Sequence, residues 1–100
     1  MEKVNVIFDD NICDVDIIAI PKDIVQTIDT LSGAFSEWLV KDAPPNDNDY
    51  WVEINGKLCS NLETKGFVKW LNSYYCNNDN KAYIVEQHTT YCSTYKCIEF

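Results

Sequence analysis

One hundred residues, 46% of them apolar with 13% aromatic, suit one compact domain (1–100) with a single core and leave no material for a second. No run of about 18 apolar residues offers a membrane span, and MEKVNVIFDD lacks the layout of a signal peptide, so a soluble chain in a bacterial or host-cell cytoplasm is expected. The net charge is −8 and all eight basic residues are lysine; with no arginine for bidentate phosphate or base contacts, direct nucleic-acid binding is disfavoured.

VNVIF (4–8) and DVDIIAI (14–20) are rich in Val and Ile and flank DDNICD, whose Asp and Asn residues favour turns. They predict a β-hairpin. The run Ile17, Ile18, Ala19, Ile20 does not alternate, which fits a central strand buried on both faces. From Pro21 the apolar residues Ile24, Ile28, Leu31, Phe35 and Trp38 recur at steps of four and three, the period of one helical face. Gly33 on the opposite face marks either a close approach or a weak point. KDAPPNDND then ends the helix in a loop.

YWVEINGKLCS (50–60) carries Asn55-Gly56 between two β-prone runs, the pair preferred by a type I′ hairpin turn. Ser60 and Glu63 have the spacing of a capping box, and Phe67, Trp70, Leu71 and Tyr74 predict a second amphipathic helix. AYIVEQ and YKCIEF read as a last strand pair. The expected fold class is α+β: a mainly antiparallel β-sheet built from hairpins, with two amphipathic helices packed on one face.

The only histidine, His88, stands near Cys92 and Cys97 in YIVEQHTTYCSTYKC, with spacings H-x3-C and C-x4-C that lack the short paired ligands of a zinc site. On a continuous strand over 91–99, Cys92 and Cys97 would point to opposite faces, out of reach of one ion or one disulfide. Five cysteines in a domain able to fold without staples are expected to stay reduced. No phosphate loop, nucleophile elbow or metalloprotease motif is present, so no catalytic residue, metal or cofactor is expected. The acidic turns likewise lack the mid-loop glycine and terminal glutamate of an EF-hand.

Charge is the more informative pattern: residues 1–55 sum to −9 and residues 56–100 to +1. Carboxylates along one surface can imitate a nucleic-acid backbone and occupy a basic groove on another protein. The candidate partner-binding residues are Asp9, Asp10, Asp14 and Asp16 at the first hairpin, and Asp42, Asp47 and Asp49 in the proline loop. Tyr50 or Trp51 would serve as an aromatic anchor beside them.

A short, acidic, arginine-free α+β domain resembles, in overall profile, small inhibitor proteins of phages and mobile elements, including anti-CRISPR and other counter-defence factors. What this profile implies is a non-enzymatic inhibitor covering a basic, nucleic-acid-binding surface of a partner protein, with no membrane and no direct nucleic-acid contact. Three alternatives remain: a toxin-neutralising immunity protein, a small Cys/His metal-binding protein or thiol enzyme, and a homo-oligomeric structural module. Monomer and homodimer both stay open.

Overall fold

The Val/Ile runs of the first hairpin pair as antiparallel strands β1 (Glu2–Ile7) and β2 (Val15–Ile20) in a computed structural model describing residues 1–100. Both are central in a four-stranded sheet of order β5-β2-β1-β6, where β5 is Tyr83–Thr89 and β6 is Lys96–Glu99. Their side chains are accordingly buried on both faces, which is why neither run alternates. The turn between them puts Asp9 and Asp10 at φ 53° and 57°, with the Asn11 N–H donating to the Phe8 carbonyl (3.0 Å). Both central residues are left-handed, the type I′ arrangement that Asp tolerates better than most side chains.

The expected single helix from Pro21 is two: α1 (Lys22–Val25) and α2 (Ile28–Lys41). Thr27 breaks it. Its N–H (3.0 Å) and hydroxyl (3.2 Å) both go to the Ile24 carbonyl, so the chain tightens by one residue there. The break lets Ile24, Val25 and Ile28 all enter the core. Gly33 lies exposed on α2, and a Cβ there would meet nothing within 4 Å. Of the two readings of this glycine the weak point holds, and Gly33→Ala is expected to stabilise the protein by about 1 kcal/mol. An unchanged or lower urea midpoint would contradict that.

Trp51–Ile54 (β3) and Lys57–Ser60 (β4) form a separate two-stranded hairpin around Asn55 (φ 52°) and Gly56 (φ 79°), as the Asn-Gly pair predicts. The expected capping box is not formed. Ser60 ends β4, Glu63 takes the N-cap position without a side-chain bond, and α3 spans Thr64–Tyr74. Phe67, Trp70 and Leu71 of α3 join Leu31, Phe35 and Leu39 of α2 and Val4, Val6, Ile18 and Ile20 of the sheet in one core. At its centre the Phe35 ring meets Phe67 (5.4 Å) and Trp70 (5.3 Å). Tyr74, the fourth residue of the predicted helical face, is 62% exposed.

The last two strands do not pair with each other, contrary to expectation. β5 pairs antiparallel with β2 at one edge and β6 parallel with β1 at the other, so the sheet is mixed and the fold α+β. A terminal hairpin would have left β1 as an edge with Val4–Ile7 uncovered; β6 closes that side and brings Ile98 into the core. The six residues 90–95 can span about 20 Å extended, enough for the roughly 14 Å across three strand spacings. They cross the face opposite the helices, where Asn5 receives them. Asn5 is fully buried; its Nδ2 donates to the carbonyls of Cys92 (2.9 Å) and Tyr95 (3.3 Å), and its Oδ1 accepts from the Cys92 N–H (3.0 Å).

Candidate functional site

The two acidic groups occupy different surroundings. Asp14 and Asp16 stand two apart around the start of β2, which brings Asp16 to the helix side opposite the first turn of α3. One Asp16 oxygen accepts the Thr64 hydroxyl, and the other accepts the His88 N–H at 3.0 Å. His88 sits in β5 at φ 53°, where the pairing with β2 slips: Val15 faces Thr89 but Ile17 faces Glu86. This bulge turns the imidazole outward, its side chain 80% exposed, with Nδ1 3.0 Å from Asp14 Oδ1. Its partner is thus a carboxylate rather than a thiol.

Asp9, Asp14 and Asp16 line one cleft of about 220 Å³ with Phe8, Asn11 and His88. A second, of about 410 Å³, shares Phe8, Asp16 and His88 and continues to Glu63, Thr64 and Lys65. Asp10 stands on the same turn, and Ile12 beside it is 54% exposed. Three of the four hairpin aspartates are therefore gathered around one concavity, and the fourth adjoins it.

The proline-loop acids are held differently. Asp42 is exposed at the C-cap of α2. Asp47 and Asp49 both bind Lys69 of α3 (2.7 and 3.0 Å), and Asp49 also binds Lys65 (3.0 Å). The lysines that the sequence separates from these acids are brought back to them by the fold. Lys69 holds both carboxyls below the usual range, and both lysines are pushed up in turn. Lowered native values mean that the unfolded chain binds more protons at low pH, so this stabilisation is complete above about pH 4 and disappears as pH falls through the native values. Lys69→Gln is expected to be less stable than the parent at neutral pH, with the gap in urea midpoint closing below about pH 4. A gap constant from pH 7 to pH 3 would rule these ion pairs out.

The candidate anchors divide. Tyr50 is 3% exposed, its ring edge-on to Trp38 at 4.8 Å, so packing against α2 removes it from any binding surface. Trp51 is half-buried and donates its Nε1 hydrogen to the Ala43 carbonyl (3.0 Å). The exposed apolar side chains Val52, Ile54 and Leu58 lie beyond it on the hairpin.

Cys92 and Cys97 also depart from expectation. Cys92 precedes β6 in a turn, its amide bound to Asn5, and the Cys97 Sγ lies 3.7 Å from Asn5 Nδ2, so both are on the Asn5 side of the sheet. The Thr94 hydroxyl, 3.2 Å from Cys92 Sγ, holds that thiol below its ordinary value, whereas burial pushes Cys76 up. All five cysteines are free. No three His, Cys, Asp or Glu side chains converge as a metal-ligand group, and no helix is long and apolar enough to cross a membrane.

His88, Glu63 and Thr64 are the cleft residues that the acidic pattern alone missed. Asp14 and Asp16 were legible as part of the acidic cluster at the first hairpin; nothing local in the sequence announces the bulge that adds His88. No family model, curated protein or solved structure matches this chain.

Proposed function

We propose that this protein is a non-enzymatic inhibitor that binds a basic surface of a partner protein, of the kind that nucleic-acid-binding effectors present, in the manner of counter-defence proteins of phages and mobile elements. The supporting observation is the gathering of Asp9, Asp14 and Asp16 around one concavity, with Asp10 and the exposed Ile12 at its rim. A partner's lysine or arginine side chains would enter among carboxylates that no lysine of this chain neutralises, while Ile12 supplies an apolar contact. Asp47 and Asp49, already paired, would contribute less.

The test is a variant carrying Asp9→Asn, Asp10→Asn and Asp14→Asn, used as bait in host extract beside the parent. Asn tolerates the left-handed backbone at 9 and 10, so charge is removed without breaking the turn. Capture of the partner is expected to weaken by about tenfold at low salt and to lose most of its salt dependence. Equal capture with equal salt dependence would reject the proposal. Neutralising Asp47 and Asp49 instead should have the smaller effect.

A further inference from the structure

The largest concavity, about 550 Å³, runs along α3 from Lys65 to Ser73, between that helix and the start of β5. Its lining includes Lys65, Lys69 and Lys81 and no carboxylate, in a chain with sixteen acidic residues and eight lysines. Lys69 is paired with Asp47 and Asp49 and Lys65 with Asp49, neither acid lining the cleft, whereas Lys81 makes no ion pair. The one unpaired charge in the lining is therefore that of Lys81, and it is positive.

The backbone beside it is unfinished. β5 is an edge strand. At Ala82 the edge is closed by Asn72 of α3, whose amide pairs with the backbone both ways: Nδ2 donates to the Ala82 carbonyl (3.0 Å) and Oδ1 accepts the Ala82 N–H (2.8 Å). Strand alternation turns the N–H and C=O of Ile84, two residues on, in the same direction, and no strand lies there. The register slips around Val85 and His88 disrupt the rest of the edge, so the regular position still free to pair is Ile84, which lines the cleft. Tyr83, on the opposite face at this point, is 54% exposed and available as a cross-strand neighbour.

We propose that this cleft receives a short, extended, acidic peptide segment of a partner, which adds to the edge of β5 at Ile84 and places a carboxylate against Lys81, with the already paired Lys65 and Lys69 contributing less. A groove between an edge strand and a helix is a recurrent geometry for strand addition, in which main-chain bonds hold the peptide and the groove selects its side chains. The site is separate from the acidic concavity. Its occupant has the opposite charge.

The experiment is an amide NMR titration of the whole protein with three peptides: acetyl-Glu-Val-Glu-Val-Glu-amide, the same peptide N-methylated at its central residue, and its Lys-for-Glu counterpart. The first should give saturable shifts concentrated at Val68 and Ala82–Ile84 and slow the exchange of the Ile84 amide. The N-methylated and lysine peptides should bind much more weakly. Lys81→Gln should weaken the acidic peptide by about fivefold, and Lys57→Gln, on the β3–β4 hairpin, should not. Equal binding of the N-methylated peptide would refute strand addition. Equal binding of the lysine peptide, shifts located elsewhere or no saturable shifts would refute the site.

Discussion

Asn5→Ala is expected to destabilise the protein by about 3 kcal/mol, far more than a polar-to-alanine change on a strand ordinarily costs. The side chain is completely buried in the centre of the sheet and makes three bonds to backbone nearly ninety residues away, at Cys92 and Tyr95. Alanine would leave one N–H and two carbonyls of the crossover without these partners, at about 1 kcal/mol or more each. Asn5→Val, which suits a strand better and fills more of the space, should not rescue it, because the loss lies in the amide. Asn5→Asp keeps the acceptor for the Cys92 N–H but turns an acceptor toward two carbonyls, and should be no better than alanine at neutral pH. The Cys92 amide should also exchange faster in Asn5→Ala and Asn5→Val, which lack its acceptor. A urea-derived stability within about 0.5 kcal/mol of the parent for Asn5→Ala would show that the crossover is held by something else.

Asn5 also shows where sequence reading stops. Local patterns were legible: the apolar runs of β1 and β2, the Asn-Gly turn and the helical faces of α2 and α3 all follow from periodicity within a dozen residues. Features that depend on distant pairing were not. AYIVEQ and YKCIEF look like any two neighbouring strands, and only the need to cover the free side of β1 sends the second across the sheet. Ser60 and Glu63 have capping-box spacing, yet β4 takes Ser60 first. Thr27 sits in an otherwise clean helical period, and its competition for the Ile24 carbonyl is visible only in three dimensions.

The candidate site divides in the same way. Asp9, Asp14 and Asp16 converge because they flank one hairpin turn and the adjoining strand, a local relationship. Asp47 and Asp49 looked equivalent by composition, but α3 brings Lys65 and Lys69 onto them, and a charge count along the chain has no means of pairing distant residues. The same pairing sharpens the electrostatics. Carboxylates with no lysine partner remain at the Asp9–Asp16 end, and Lys81 supplies unpaired positive charge beside α3 and the start of β5. A molecule with this separation would orient in the field of a partner before contact, which favours association rate over final affinity.

Gly66→Ala should cost about 2–3 kcal/mol, although alanine is the better helix former and the position lies in the first turn of α3. A Cβ at Gly66 would stand 2.7 Å from the Asp49 carbonyl oxygen, 3.4 Å from the Tyr50 ring and 3.6 Å from Phe35. The first distance requires backbone to move, and that backbone is tied. Asp47 Oδ1 accepts the Asp49 N–H (2.9 Å), and the Asp47 carbonyl accepts the N–H groups of Tyr50 (3.1 Å) and Trp51 (3.0 Å). The Tyr50 carbonyl in turn accepts from Asn61 (2.8 Å), and the Tyr50 ring is packed in the core. Gly33→Ala provides the internal comparison, because it makes the same change in a helix with empty space around it; opposite signs for the two variants are expected. The clash has a second consequence. If the loop yields, Asp47 and Asp49 move away from Lys65 and Lys69, so Gly66→Ala should also lose part of the stability that the parent loses on acidification below about pH 4. A Gly66→Ala protein as stable as the parent would mean that α3 and the proline loop approach less closely than this, and would weaken the case for Lys65 and Lys69 as a fixed pair of cations.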